Sequence, residues 1–313
     1  MKYFFTRLRY IKLKNIKKDY IEILPGLRIT DKKKIKEQIL TEQTRKIIGF
    51  IETNNILTSE TILYYEYSDN EKIWQGINHL EILENILHWI DSLLKNSWLH
   101  KDNCIVSDTA FLIDSASPTA QASSLRLEYK HTLATGELDT IYYCEDDLNK
   151  LTSIHHKVET YLYDKDSLSI RFMLEKNFSR IGRALLFVKQ GRESRNIAYK
   201  LSHYCSALET IFTTDNMEIS HKLAERTAFF LSDRLSKPNV FSIIKKAYTV
   251  RSKLTHGASL DSKQINTIFD ISSETDSILR ESFIKILNDK VLIDLFDSNN
   301  QKIDKYFLEL IME

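Results

Sequence analysis

Glycine, proline and cysteine are scarce in this chain, whose 313 residues include only 7 Gly, 3 Pro and 3 Cys. Because so few residues break regular backbone, we expect long helices rather than a loop-rich fold of many strands. The three cysteines are widely spaced and odd in number, so they fit neither a disulfide framework nor a zinc-ligand pattern. We therefore predict a protein of a reducing compartment with no metal site and no cofactor.

Long apolar runs are absent as well. No run approaches the ~18 residues that a membrane span requires, so the sequence predicts no membrane partner. The first ten residues, M-K-Y-F-F-T-R-L-R-Y, lack the uninterrupted apolar core of a secretory signal. These absences predict a cytoplasmic protein, and the chain is long enough for two domains with buried cores.

Charge is balanced overall, at +1, but unevenly distributed. Residues 1–46 carry 14 Lys and Arg against 5 Asp and Glu, and residues 151–257 carry 18 against 10. The other two segments are acidic. The basic segments suit contact with a polyanion, although solvated helix faces explain the same charges equally well.

The first half predicts mixed helix and strand. Residues Tyr20–Leu24 alternate as a half-buried strand before the turn pair Pro25-Gly26, and apolar residues over Ile77–Leu94 recur at helical spacing. The small, polar stretch Asp114–Ser124 predicts a loop. Further strand candidates are Ala110–Ile113, Leu125–Tyr129 and Thr140–Cys144. We assign residues 1–149 to a mixed α+β domain.

Residues 150–313 change to an almost purely helical pattern, which predicts an all-α bundle and an α+β chain overall. Gly191 should interrupt the first helix, Pro238 lies near the start of the fourth, and Gly257 suits a left-handed cap after it. Asp261 and Gln264 have the spacing of a capping box for the fifth helix. The predicted helical stretches are Leu174–Val188, Leu201–Ile211, Ile219–Leu235, Phe241–His256 and one carrying Ile265 to Ile286.

Three stretches of this helical half resemble the HEPN superfamily, specifically its Apea-like branch. They are S-H-Y-C-S-A-L-E-T-I-F (Ser202–Phe212), E-I-S-H-K-L-A-E-R-T-A-F-F-L (Glu218–Leu231) and A-Y-T-V-R-S-K-L-T-H-G (Ala247–Gly257). An Arg and a His a few residues apart would be weak evidence alone. The resemblance depends on all three stretches in this order.

The resemblance implies a HEPN helical bundle that dimerises so that two Arg–His motifs face each other. Active members cleave RNA without metal, leaving a 2′,3′-cyclic phosphate, and many serve as toxins or antiphage effectors. It therefore implies single-stranded RNA or a tRNA loop as substrate, a second copy as partner, and a trigger or neutralising protein. The first domain would then sense the trigger, restrain the nuclease or select the RNA.

The expected catalytic residues are Arg251, His256, Glu209 and Ser252. Histidine can accept or donate a proton near neutral pH, and arginine presents a planar charged fork to phosphate oxygens. Five residues of ideal helix turn Arg251 and His256 about 140° apart. His256 must therefore lie on the last, fraying turn, or the working partner comes from another subunit. Glu209 resembles an acidic position that orients the motif arginine.

Alternatives stay open at several of these positions. Ser252 stands where HEPN nucleases often carry Asn; serine can still hydrogen-bond phosphate, but this departure leaves open a degenerate site that binds without cutting. Glu209 could pair only locally. Lys253, Arg226 and Lys222 are expected to contact RNA, but the last two suit solvated surface charge as well. The main alternative function is a non-catalytic HEPN module that binds RNA or nucleotide and dimerises; another is a structural partner in a defence complex.

Overall fold

Strands and helices segregate along this chain. The computed structural model describes residues 2–67, 74–114, 121–127, 130–163, 178–215 and 217–312. Within these ranges every strand lies before residue 144, and the chain from Glu145 onward is helical. The predicted α+β class with a helical second half is confirmed.

The chain divides into two compact units. The first comprises residues 1–131 and 138–155, and the second comprises residues 132–137 and 156–313. The division at 155/156 falls inside a helix, whereas the sequence placed the boundary at 149/150. The short insert 132–137 belongs to the helical unit, which no sequence feature indicated.

The first unit is built on a six-stranded antiparallel sheet in the order β3-β4-β5-β1-β6-β7. Both faces of the sheet are covered, since Phe4 and Phe5 of the central strand β1 point into two separate apolar clusters. A separate parallel pair joins β2 to β8. The strands are β1 Lys2–Arg9, β2 Ile11–Leu13, β3 Ile21–Leu24, β4 Leu27–Thr30, β5 Thr61–Tyr67, β6 Val106–Asp114, β7 Gln121–Leu125 and β8 Ile141–Tyr143.

Helices α1 (Lys33–Ile39) and α2 (Glu42–Thr58) contribute to one cluster, and α3 (His79–Asn96) to the other. The predicted helix over 77–94 corresponds to α3. It begins at Asn78, whose side chain accepts hydrogen bonds from the Leu80 and Glu81 amides in a capping box.

The strand predictions near residues 20, 110 and 140 correspond to β3, β6 and β8. The predicted loop Asp114–Ser124 is wrong at its end, because β7 already begins at Gln121 and pairs with β6. The predicted strand from Leu125 is displaced accordingly: Leu125 ends β7, and residues 128–129 lie outside the described residues.

The helical unit packs around α6, which contacts the helices on both sides of it in sequence and two later ones. Its apolar centre includes Leu201 and Cys205 of α6 with Ala247 and Val250 of α8. The bounds are α4 Glu145–Tyr163, α5 Arg180–Glu193, α6 Ile197–Phe212, α7 Ile219–Phe230, α8 Lys237–Thr255, α9 Ser262–Leu287, α10 Lys290–Phe296 and α11 Asn300–Met312. None of the helices in the described ranges combines the length and apolarity that a membrane span needs.

Two helix predictions in this unit are wrong in detail. Gly191 does not interrupt a helix but lies inside α5, where a Cβ would come 2.8 Å from Cε1 of Tyr204 on α6. Its hydrogen side chain therefore permits close packing of two helices. The helix from Ile219 ends at Phe230 rather than Leu235. Leu174, predicted to start the first stripe, lies outside the described residues.

The insert 132–137 is held inside the helical unit by polar contacts. The buried ammonium of Lys200 donates to Thr132 Oγ1 at 3.0 Å and to the Gly191 carbonyl at 2.8 Å. Ser272 of α9 donates to the Ala134 carbonyl at 2.5 Å. These bonds connect the insert to α5, α6 and α9.

Candidate functional site

The candidate site lies at the C-terminal end of α8. Pro238 lies in the first turn of this helix, as predicted, and α8 buries Ile244, Ala247 and Val250 against the bundle. The remaining face carries Arg251 and Tyr248, which are only partly buried. Burial of the apolar face thus fixes the direction in which the polar face points.

His256 is the first residue after the last turn of α8. Gly257 adopts φ +70°, donates to the Leu254 carbonyl at 3.3 Å, and is followed by Ala258, which donates to the Lys253 carbonyl at 2.9 Å. These two bonds form a Schellman motif, which satisfies carbonyls that the helix end leaves open. The imidazole of His256 is exposed and has no hydrogen bond or ion pair among the described residues. The predicted cap at Gly257 and the predicted place of His256 at the helix end agree with this geometry.

Arg251 contacts two side chains, Tyr248 on its own helix α8 and Glu209 on α6. Its Nη1 donates to the Tyr248 hydroxyl at 3.3 Å, and its Nη2 lies 3.6 Å from Oε1 of Glu209. The guanidinium carbon is 5.2 Å from the centre of the Tyr248 ring. At 3.6 Å the contact with Glu209 is an ion pair rather than a hydrogen bond. A guanidinium held this loosely, with 28% of its side chain exposed, can exchange partners with an incoming anion.

Burial governs the protonation of the groups around Arg251. Burial raises the pKa of Glu209, although the Arg251 charge and a hydrogen bond from Tyr248 oppose this. The pKa of Tyr248 is raised by its own burial and by the Glu209 charge. Oε1 of Glu209 is buried and has no hydrogen-bond partner among the described residues. The predicted proximity of Glu209 to Arg251 is therefore observed, with a carboxylate that is costly to ionise.

Ser252 and Lys253 flank the arginine without facing it. Ser252 is half-buried, and its carbonyl accepts the His256 amide at 3.0 Å. Lys253 donates through Nζ to Oε1 of Gln264 at 2.7 Å, which joins the end of α8 to the start of α9. Gln264 also closes the predicted capping box with Asp261. Lys253 thus has a partner inside the bundle, and it needs to release Gln264 before it can contact RNA.

Arg226, which the sequence predicts to contact RNA, is buried inside the fold. Its side chain is 9% exposed, donates to the Phe212 carbonyl at 3.1 Å and to Oδ1 of Asp304 at 2.6 Å, and lies over the ring of Phe307. Arg226 thus links α7, on which it lies, to α6 and α11. The sequence interpretation of a surface phosphate contact is wrong here because Asp304, 78 residues away, neutralises the charge inside the fold.

Lys222 is bonded as well, but at the surface. Its Nζ donates to both carboxylate oxygens of Asp215, at 2.8 and 2.7 Å. The structure does not bring it to Arg251. Tyr248, by contrast, belongs to the site and was missed by the sequence interpretation. The available signal was its position three residues before Arg251, on the same helix face.

Comparisons with known proteins add no assignment: no family model, curated protein or solved structure matches this chain. The HEPN resemblance therefore stays a prediction made from the three sequence stretches.

Proposed function

We propose that this chain is a metal-independent endoribonuclease of the HEPN type, a cytoplasmic toxin or antiphage effector that cuts single-stranded RNA or tRNA loops. The observation that carries the proposal is the end of α8. There an exposed imidazole, His256, follows a partly exposed guanidinium, Arg251, which is loosely paired at 3.6 Å. Both groups are accessible to a phosphodiester, whereas the neighbouring Arg226 is not.

The chemistry needs one proton acceptor, one proton donor and one cation. A base removes the proton of the ribose 2′-OH, whose oxygen attacks the adjacent phosphorus. The bond to the 5′-oxygen breaks, and an acid protonates that oxygen, which leaves a 2′,3′-cyclic phosphate and a 5′-OH. His256 of two facing copies would supply base and acid, and Arg251 would stabilise the charge of the pentacoordinate phosphorus. Glu209 and Tyr248 act as positioning residues.

An apolar surface at the same end of the bundle supports a second copy as partner. Ile265 and Phe269, one turn apart on α9, are 54% and 48% exposed. The Lys253–Gln264 bond places the start of α9 beside the end of α8. Two copies that meet through this surface would bury it and bring their α8 ends together.

The test is cleavage of total tRNA by the purified protein, with and without EDTA. We expect cleavage that persists in EDTA and yields cyclic-phosphate ends. His256→Ala should lower it about 10³-fold while leaving the thermal unfolding curve unchanged. Binding of RNA by wild type without any cleavage would support the non-catalytic module instead, and loss of activity on chelation would contradict the metal-independent mechanism.

A further inference from the structure

A second feature of the helical unit lies beside the candidate site. A shallow cleft, largely open to solvent and about 660 Å³ in volume, lies between the start of α7 and the middle of α8. It is lined by Glu218, which precedes α7, by Ile219, Ser220 and His221 of α7, and by Lys245 and Tyr248 of α8.

The lining combines hydrogen-bond donors with one carboxylate. Lys245 is half-buried, and its ammonium has no ion-pair partner among the described residues. At the start of α7 the Ile219 and Ser220 amides have no acceptor within the helix, and the Glu218 side chain does not cap them; the amides of His221 and Lys222 donate to the Glu218 carbonyl, each at 3.0 Å. Glu218 instead remains exposed at a left-handed position, φ 49°. His221 packs edge-on against Phe241.

The mixed charge of this lining distinguishes between ligands. A bare anion such as phosphate would suit Lys245 and the amides but not the Glu218 carboxylate. A nucleotide fits both features, because it joins an anionic phosphate to a base whose amino group can donate to a carboxylate.

The cleft and the candidate site share Tyr248. One side of this residue lines the cleft, and its hydroxyl accepts the hydrogen bond from Arg251 at 3.3 Å. An RNA strand that places a phosphodiester at Arg251 therefore has an adjoining recess for the next nucleotide.

We propose that this cleft binds one nucleotide of the RNA strand beside the bond that is cut, with its phosphate at Lys245 and the amino edge of its base at Glu218. The inference rests on the proposed function, since it extends the same strand from Arg251. It assigns a specificity-determining role to Glu218 and an affinity role to Lys245, residues outside the Arg–His motif.

The experiment measures binding in the His256→Ala background, so that cleavage plays no part. Fluorescein-labelled RNA decamers are titrated at several salt concentrations and read by anisotropy. Lys245→Gln should weaken binding five- to tenfold and lower the slope of log affinity against log salt by about 0.7, as expected for one lost phosphate contact on a single strand. Lys246→Gln is the matched control, because Lys246 is the exposed neighbour on α8 and does not line the cleft.

Base recognition is tested separately with A, C and U homopolymer decamers. Lys245→Gln should weaken all three by the same factor, whereas Glu218→Gln should reduce the preference for the amino-bearing bases adenine and cytosine over uracil. Lys245→Arg keeps the charge and should retain binding, which separates loss of the contact from loss of folding.

Equal effects of Lys245→Gln and Lys246→Gln would overturn the proposal. An unchanged base preference in Glu218→Gln would overturn the nucleotide assignment and leave a phosphate contact only. If wild type cuts no RNA but the Lys245 effect is present, the nuclease function fails alone. If wild type cuts RNA and the two lysine variants behave alike, the cleft assignment fails alone.

Discussion

Two arginine neighbourhoods in the helical unit, both predicted from sequence to meet RNA, differ in structure. Arg226 lies where α6, α7 and α11 meet, and Arg251 lies at the end of α8; each is paired with one carboxylate. Around Arg226 the pair is close, at 2.6 Å, and a backbone carbonyl takes a second donor. Around Arg251 the pair is 3.6 Å apart and a tyrosine hydroxyl is the other partner.

The difference separates an arginine whose donors are used by the fold from one whose donors stay available to a ligand. The donors of Arg226 are used inside the fold, so a ligand would have to break existing bonds to reach them. The fork of Arg251 is partly exposed and its ion pair is long, so a phosphate can replace the carboxylate at little cost. The predictions below test this contrast, from the largest expected effect to the smallest.

Substitution of Arg251 should cost activity and little stability. We expect Arg251→Ala to lower single-turnover RNA cleavage by about 10²–10³-fold, because it removes the preorganised cation at the phosphorus. The free energy of unfolding should fall by less than about 1 kcal/mol, since the lost pair is long and partly exposed. Cleavage assays and urea unfolding measure the two effects. If Arg251→Ala lowered the free energy of unfolding as much as Arg226→Ala does, the two arginines would contribute equally to the fold and the contrast between them would be wrong.

Substitution of Arg226 should do the opposite. Arg226→Ala leaves the Phe212 carbonyl without its arginine donor and the Asp304 carboxylate with Thr214 as its remaining donor, and we expect a loss of about 2 kcal/mol in the free energy of unfolding. The value lies below that for a fully buried pair because 43% of the Asp304 side chain is exposed. Cleavage, corrected for the folded fraction by urea unfolding, should change less than threefold. A large loss of corrected cleavage would show that Arg226 contributes to the site.

Local signals in the sequence predicted the ends of the helices around the site. Asp261 with Gln264, Gly257 and Pro238 act through backbone bonds within a few residues, so their spacing alone indicates a helix start or end. The same holds for the position of His256. The residues of the Arg–His motif were therefore placed correctly on their helix by sequence alone.

What the sequence could not predict depends on distant partners. Arg226 leaves the site because it contacts Asp304 on another helix. Tyr248 was missed although it lies on α8 with Arg251, three residues before it. Gly191 looks like a helix breaker until the ring of Tyr204 packs on it. In the sheet, β1 and β5 were missed because both of their faces are buried, as at Phe4 and Phe5, and the alternation typical of a half-buried strand is lost.

The cap after α8 should matter more to cleavage than to stability. Gly257 has φ +70° and no atom within 4 Å of an added Cβ, so Gly257→Ala costs only backbone strain, about 1 kcal/mol. The backbone relieves this strain by shifting at the helix end, which displaces the adjacent His256. We therefore expect cleavage to fall more than tenfold. Gly76→Ala is the matched control, since Gly76 has φ +79° and equally open surroundings in the other unit. Equal cleavage in the two variants would show that the cap does not position His256.

The carboxylates of the two neighbourhoods should give stability profiles of opposite sign with pH. Burial disfavours ionisation of Asp304, but hydrogen bonds from Thr214 and Arg226 outweigh it and lower its pKa. The ionised Asp304 carboxylate therefore contributes to the free energy of unfolding above about pH 4, the ordinary pKa of Asp. This contribution is lost as pH falls through the lowered pKa of the folded state. Asp304→Asn should be less stable than wild type at pH 7 and approach it in acid.

Glu209 should behave in the reverse way, because burial raises its pKa above the ordinary value of about 4.3. Below about pH 4.3, Glu209 is protonated in both the folded and the unfolded protein, so its burial costs no stability through ionisation. As pH rises through the raised pKa of the folded state, the folded protein must ionise a buried carboxyl group and loses stability. Glu209→Gln should therefore be slightly more stable than wild type at pH 7, with the difference vanishing near pH 4. Urea unfolding at both pH values measures it.

The charge of Arg251 reduces the cost of ionising Glu209. At pH 7, Arg251→Ala should therefore lower the free energy of unfolding more in the wild-type background than in the Glu209→Gln background. A double-mutant cycle over the two positions isolates that coupling. If Glu209→Gln instead destabilises the protein at pH 7 as Asp304→Asn does, the Glu209–Arg251 pair stabilises the fold in the same way as the Asp304–Arg226 pair. The guanidinium of Arg251 would then be committed to the fold, and its availability to a phosphate would be lost.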